Sequence, residues 1–318
     1  MKVFTGLEKK IQIPNAHVTI GTFDGVHIGH KKIIDHLNFL AKENSGESVL
    51  FSFDPHPRNV LNPSNPVSLL QTREEKLSKL ERLGIQNVIL YPFTESFSQT
   101  PAENFIREFL VENLKMKSVV IGYDHQFGRN REGSLEHFQW LGKILGFHVE
   151  EIPAQDIDDI NVSSTKIRSA LINGNIKTAN KYLGEPFQLN GIIIHGKSIG
   201  KSLGFPTANL ETPKNSKILP KNGVYFVRCT FENKTNFGMM NIGQRPTFDS
   251  DTCKLSIEVH IFDIQNDLYG TKLQVELLDF IRDEQKFPNN EALILQLQKD
   301  QAYCRSRFVD FSLHQFTF

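Results

Sequence analysis

Apolar positions in the first half of the chain recur in two alternating rhythms. Short runs at 17–20, 48–53, 87–90, 118–121 and 147–149 predict strands. Between them Ile33, Ile34, Leu37, Leu40 and Ala41 fall at helical spacing. So do Leu77, Leu80 and Leu83, and then Phe105, Ile106, Phe109 and Leu110. Strand–helix–strand alternation predicts an α/β fold, a parallel sheet with helices on both faces. Beyond about residue 185 the rhythm changes. Runs at 191–194, 223–227, 237–241, 255–262 and 273–278 predict short strands without intervening helices, and Leu255, Ile257, Val259 and Ile261 share one face. Five or six strands at that spacing predict a small antiparallel β-barrel, followed by a C-terminal helix over 290–303. Segment 164–183 predicts two short helices broken near Gly174. The boundary is expected at Gly184-Glu185-Pro186, giving domains 1–184 and 185–318.

Composition narrows the function classes. The chain has 318 residues, 39% hydrophobic and 23% charged, enough for real cores and against disorder. Lys+Arg 36 balances Asp+Glu 36, so the basic footprint of a dedicated nucleic-acid binder is missing. Cys229, Cys253 and Cys304 are too few and too scattered for a disulfide framework and predict free thiols in a reducing compartment. No apolar run approaches the roughly 20 residues of a membrane span. A soluble cytoplasmic protein is expected, with neither nucleic acid nor membrane as partner, as a monomer or weak transient oligomer.

The densest chemistry of the first half is Gly21-Thr22-Phe23-Asp24-Gly25-Val26-His27-Ile28-Gly29-His30, directly after a strand and opening a helix. Gly21, Gly25 and Gly29 permit tight turns and close backbone approach. A helix N-terminus offers unpaired amides to an anion. A lone histidine in such a loop is usually structural. Two in HxGH can both face a nucleotide phosphate and stabilise charge developing on it. Zinc is a poor alternative, because no third ligand completes a site. Further on, Ser163, Ser164 and Thr165 stand at an expected helix start with Arg168 one turn in. That is an ordinary N-cap by itself, and also a set of donors suited to β- and γ-phosphates, with Arg168 bidentate.

In the second half, His195-Gly196-Lys197-Ser198-Ile199-Gly200-Lys201-Ser202-Leu203-Gly204-Phe205-Pro206-Thr207-Ala208-Asn209 superficially suggests a P-loop. Three residues rather than four separate Gly196 from Gly200-Lys201, and no crossover helix is expected there, so that reading fails. A Gly-rich, Lys-containing loop able to hold phosphate oxygens remains. Pro206-Thr207-Ala208-Asn209 alone reads as a turn. Thr207 and Asn209 nonetheless place two neutral oxygens on one side of an extended segment, which suits Mg²⁺. Glu258 lies opposite the aliphatic face of 255–261, by pattern an exposed strand carboxylate.

HxGH followed by Ser163-Ser164-Thr165-Lys166-Ile167-Arg168 resembles the nucleotidyltransferase superfamily, and specifically the adenylyltransferase half of bifunctional bacterial riboflavin kinase/FMN adenylyltransferases. Phe53-Asp54-Pro55-His56-Pro57, segment 121–129 and Gly204-Phe205-Pro206-Thr207-Ala208-Asn209 extend the resemblance over nearly the whole chain. It implies a Rossmann-like nucleotidyltransferase domain followed by a flavokinase barrel. It further implies that riboflavin is phosphorylated to FMN by ATP, and that FMN is adenylylated by a second ATP to FAD. Gly21, Phe23, Asp24, Gly25, His27, Gly29, His30, Asp124, Ser163, Ser164, Thr165 and Arg168 would bind the adenylylating ATP. Phe53, Pro55 and Pro57 would line its flavin. Gly196, Gly200, Lys201 and Gly204 would hold the kinase nucleotide and Thr207 and Asn209 its Mg²⁺. Glu258 would be the base, and Arg282, in 281–287, would frame riboflavin. The family usually has Phe where this chain has His125.

Two rivals come from other classes. His27-Ile28-Gly29-His30 spells the HIGH of class I aminoacyl-tRNA synthetases, but KMSKS, basic charge and room for an anticodon domain are missing. A flavin storage or regulatory protein would not need the base, metal ligands and HxGH that are all present.

Overall fold

Strands covered on both faces are buried on both, and the four inner strands of the first half, Ala16–Ile20, Glu47–Phe53, Asn87–Tyr91 and Ser118–Gly122, are buried at all but a few end residues. In the computed structural model, which describes residues 1–7, 11–122, 126–152, 162–196, 199–213, 217–245, 254–264 and 268–308, the chain forms two compact units. One comprises Met1–Ser164 with Ser216–Ile218, the other Thr165–Asn215 with Leu219–Phe318.

The first unit holds six strands: β1 (Lys2–Thr5), β2 (Ala16–Ile20), β3 (Glu47–Phe53), β4 (Asn87–Tyr91), β5 (Ser118–Gly122) and β6 (His148–Ile152). All neighbours pair in parallel, in the order β1-β4-β3-β2-β5-β6. Val49 and Phe51 point into one core with Phe105, Ile106, Leu110 and Phe138. Leu50 points into the other with Ile34, Leu37 and Leu80. Around the sheet lie α1 (Ile28–Glu43), α2 (Pro57–Leu61), α3 (Arg73–Arg82), α4 (Glu95–Ser98), α5 (Ala102–Asn104) and α6 (Leu135–Leu145). Residues 105–113, expected to be helical, are π-helical. From β2 the chain runs outward one way through β3 and β4, then returns to place β5 and β6 on the other side. The C-terminal end of β2 is therefore a topological switch point, where open α/β sheets bind ligands. Loop 21–27 lies there.

In the second unit, α7 (Ser164–Ile172) and α8 (Ile176–Leu183) are broken at Gly174, whose φ is +76°. Buried Asn180 on α8 fastens the pair to the barrel, donating to Leu277 O at 2.8 Å and accepting from Phe187 N–H at 2.8 Å. The barrel comprises β7 (Phe187–Ile194), β8 (Ala208–Glu211), β9 (Gly223–Phe231), β10 (Lys234–Arg245), β11 (Lys254–Ile261) and β12 (Lys272–Arg282), closed in the order β10-β11-β8-β7-β12-β9. A short helix, α9 (Ile199–Ser202), and the C-terminal α10 (Asn290–Ser306) complete it. Cys229 and Cys304 are buried free thiols, as expected; Cys253 lies outside the described residues. Among the described residues no helix is long and apolar enough to cross a membrane.

Candidate active sites

At the switch point, loop 21–27 is held in a shape the backbone resists. Phe23 and Val26 have φ of 47° and 37°, costing about 1–3 kcal/mol each. Contacts from other elements hold it. Asp24 accepts from Leu70 N–H at 2.9 and 3.1 Å through its two carboxylate oxygens, and Asp24 O accepts from Ser164 Oγ at 2.9 Å. Thr22 O accepts from Lys76 Nζ at 2.5 Å and from Ser52 Oγ at 3.2 Å. The loop then feeds α1, with His27 as N-cap.

His27 Nδ1 accepts from His30 N–H at 3.3 Å. That bond puts the neutral ring's proton on Nε2, so His27 is a donor with its outer nitrogen. The His27 and His30 rings stack with centroids 3.7 Å apart, and Phe23 packs on His30 at 4.6 Å. Among the described residues, His30 Nδ1 is buried without a hydrogen-bond partner. Burial, then the nearby Lys79 charge, pushes His27 down to about 4. His30 is held well below the usual imidazole value by burial, then by His27, Lys76 and Lys79. Both imidazoles are therefore neutral in the free protein at pH 7. Positive charge at the site comes instead from Lys76 and Lys79, one turn apart on α3. Burial pushes Lys76 down to about 8, with Asp24 and Asp54 acting the other way.

The barrel carries a second constellation where β8 meets β11. Asn209 and Glu258 are direct register partners. Thr207 Oγ1 donates to Glu258 Oε2 at 3.2 Å. Two neutral oxygens and a carboxylate thus converge, hard donors of the kind Mg²⁺ takes together with phosphate and water. Gly196 packs against Asn209, and Gly200 against Phe205 and Thr207. A Cβ built on Gly196 would lie 1.9 Å from Asn209 Nδ2, and one on Gly200 2.3 Å from Phe205 O. His260, on the same face of β11 as Glu258, bonds Pro206 O through Nδ1 at 2.7 Å and so fixes the residue before Thr207.

Residues 9–166 match the FAD synthetase family and residues 183–308 the riboflavin kinase family. The Buchnera aphidicola (Schizaphis graminum) bifunctional riboflavin kinase/FMN adenylyltransferase is 38% identical, over 94% of this chain and 96% of its own. The Escherichia coli K12 protein of that name is 33% identical over 97% and 98%. The chain belongs to the bifunctional riboflavin kinase/FMN adenylyltransferase family. Among solved structures, a Streptococcus pneumoniae protein described as a macrolide-efflux protein is similar, with a TM-score of 0.87, 29% identity and coverage of 96% of this chain and 99% of that one.

In this family member the expected site residues gather unevenly. Gly21, Phe23, Asp24, Gly25, His27, Gly29, His30 and Ser164 belong to the first unit, where Ser164 is tied directly to the Asp24 carbonyl. Thr165 and Arg168 follow on α7 within the second unit, and Ser163 immediately precedes that helix. Phe53, at the end of β3, packs with Phe93 and Phe97 at 5.5 and 5.9 Å, and Pro55 and Pro57 continue from it. Asp124 and His125 lie outside the described residues. In the barrel Lys201 is exposed on α9, and Gly204 follows with φ +82°. Arg282 is engaged by α10: its guanidinium donates to buried Asp300 at 2.8–3.1 Å, with Gln296 also on that carboxylate at 2.8 Å. Sequence reasoning missed Lys76, Lys79, Phe93, Phe97 and His260. The lysines lie on an ordinary amphipathic helix, and only tertiary packing brings their ammonium groups to the loop.

Proposed function

We propose that the chain makes FAD in two steps, one in each unit, and that the residues above divide the work. In the barrel, ATP would phosphorylate riboflavin to FMN with release of ADP. Glu258 would accept the proton of the terminal ribityl hydroxyl, a role its place beside Thr207 and Asn209 supports. Thr207 and Asn209 would hold Mg²⁺, whose charge neutralises the ATP phosphates. Lys201 and the amides of Gly196, Gly200 and Gly204 would cradle those phosphates. Arg282, fixed by Asp300, would position the segment that frames riboflavin.

In the α/β unit, an FMN phosphate oxygen would attack the α-phosphorus of a second ATP, with pyrophosphate leaving. That oxygen is ionised near pH 7, so no strong base is required. His27 and His30 would donate hydrogen bonds to the phosphates, joined by Ser163, Ser164, Thr165 and Arg168 from the start of α7. Gly21, Phe23, Asp24, Gly25 and Gly29 would shape the phosphate loop, Asp124 would contact the nucleotide, and Phe53, Pro55 and Pro57 would line the flavin. Functional halves at 1–184 and 185–318 keep the α7 start with the adenylyltransferase, although packing attaches α7 and α8 to the barrel. A cytoplasmic monomer or weak transient oligomer fits this work.

The observation that carries the reading is the stacked His27–His30 pair at the switch point of a parallel sheet, in a chain that also sets Glu258 beside Thr207. The test is a chromatographic time course from riboflavin, ATP and Mg²⁺, repeated from FMN. FMN should appear first and FAD second. Glu258→Ala should abolish FMN formation and spare FMN-to-FAD conversion, and His30→Ala should do the reverse. Either variant silencing both steps while folded sinks the two-site scheme.

A further inference from the structure

Three carbonyls of loop 21–27 are taken up by side chains from outside the loop. Thr22 O is held by Lys76 and Ser52, Asp24 O by Ser164, and Gly25 O is approached by Lys79 Nζ at 3.5 Å. A peptide whose carbonyl is pulled one way turns the N–H of the next residue the other way. The N–H groups of Thr22, Phe23 and Gly25 meet no acceptor among the described residues. Lys76 is the strongest of these clamps, because its ammonium also donates to buried Ser52 Oγ at 2.6 Å and so ties the loop to β3.

We propose that Lys76 is a positioning residue for adenylyl transfer, clamping the Thr22 carbonyl so that the strained loop turns its amides toward the nucleotide phosphates while the ammonium adds fixed positive charge behind His30. This rests on the adenylyltransferase reading of that site. Lys76 faces Asp24 from the loop and Asp54 from beyond β3, and His30 faces His27, Lys76 and Lys79. Because Lys76 is pushed down to about 8, its charge is lost at mildly alkaline pH. Arginine keeps its charge there.

Lys76→Met and Lys76→Arg in the full chain test this, with FAD formation from FMN and FMN formation from riboflavin assayed separately. Lys76→Met should lower kcat/KM for FAD formation at least 100-fold, leaving FMN formation within twofold. The parent's kcat/KM for FAD formation should show an alkaline limb near pH 8, since that ratio reports the free enzyme. Lys76→Arg should restore at least a tenth of parental activity and lose that limb. Lys76→Met within threefold of the parent overturns the proposal. So do a parallel fall in both activities, failure of Lys76→Arg to restore activity, or an alkaline limb that survives in it. Failure of the underlying reading is distinguished by His30→Ala: FAD formation undiminished in that variant rejects the site itself, whatever Lys76 does.

Discussion

A methyl group on Gly196 would meet the Asn209 amide at 1.9 Å, far inside any contact distance, and Asn209 is one half of the Mg²⁺ pair proposed for the kinase. The Asn209 side chain, whose Nδ2 and Oδ1 both lie within 3.0 Å of that methyl, would have to move from its place beside its register partner Glu258. Gly196→Ala is therefore expected to lower FMN formation by about 10- to 100-fold, at the scale of one misplaced group, and to raise the Mg²⁺ concentration at half-maximal rate. Titrating Mg²⁺ against FMN formation checks this, with FAD formation from FMN as the control that stays unchanged. The Gly-rich loop reads in the sequence as a candidate phosphate holder. Its steric role does not show there, because Gly196 and Asn209 are brought together only when β7 and β8 pair.

Between elements, the bond that matters most in the barrel joins β12 to α10. Arg282 and Asp300 form a largely buried pair, with Asp300 2% exposed. Removing one partner of such a pair leaves an uncompensated charge and costs about 3–5 kcal/mol. Asp300→Ala is expected to destabilise the barrel by that amount in urea unfolding and to raise the KM for riboflavin, since Arg282 loses its anchor. The sequence could not show this pairing: Asp300 reads as one polar position on an amphipathic helix. At this scale legibility followed periodicity. Strands β2–β6 and the long barrel strands announced themselves by apolar runs. Edge strand β1, four mostly exposed residues, lacks such a run, and β8 hides inside a Pro-Thr-Ala-Asn segment whose composition reads as a turn. The π-helical stretch 105–113 kept a helical apolar pattern, which does not distinguish hydrogen-bond register. The candidate-site residues divide the same way: His27, His30, Thr207 and Asn209 cluster in sequence, whereas Lys76 and His260 meet Thr22 and Pro206 only through contacts that folding makes.

At the scale of the whole chain, the two units carry unequal burdens of buried histidine. His17, His27 and His30, all in the first unit, are held below the ordinary imidazole value chiefly by burial; in the second unit, burial lowers His260. A depressed pKa means that the unfolded chain binds a proton near pH 6.5 that the folded chain refuses until lower pH. Stability contributed by the neutral ring is thus complete above about 6.5 and drains away as pH falls toward the folded value. For His27, folded at about 4, the loss between pH 7 and pH 5 is about 2 kcal/mol. Urea unfolding at those two pH values, with amide exchange in β2 and β3 to report the first unit, should show it. His27→Gln should flatten the dependence by that amount. Nucleotide binding adds the opposing force. A triphosphate against His27 and His30 favours their charged forms and raises both pKa values, so ATP binding should take up protons below neutrality. Calorimetry of ATP binding in two buffers of different ionisation enthalpy measures that uptake directly. It should grow from pH 7 toward pH 6 and, over that range, be largely lost in the His27→Gln, His30→Gln double variant, because Lys76, pushed down only to about 8, already carries most of its charge there.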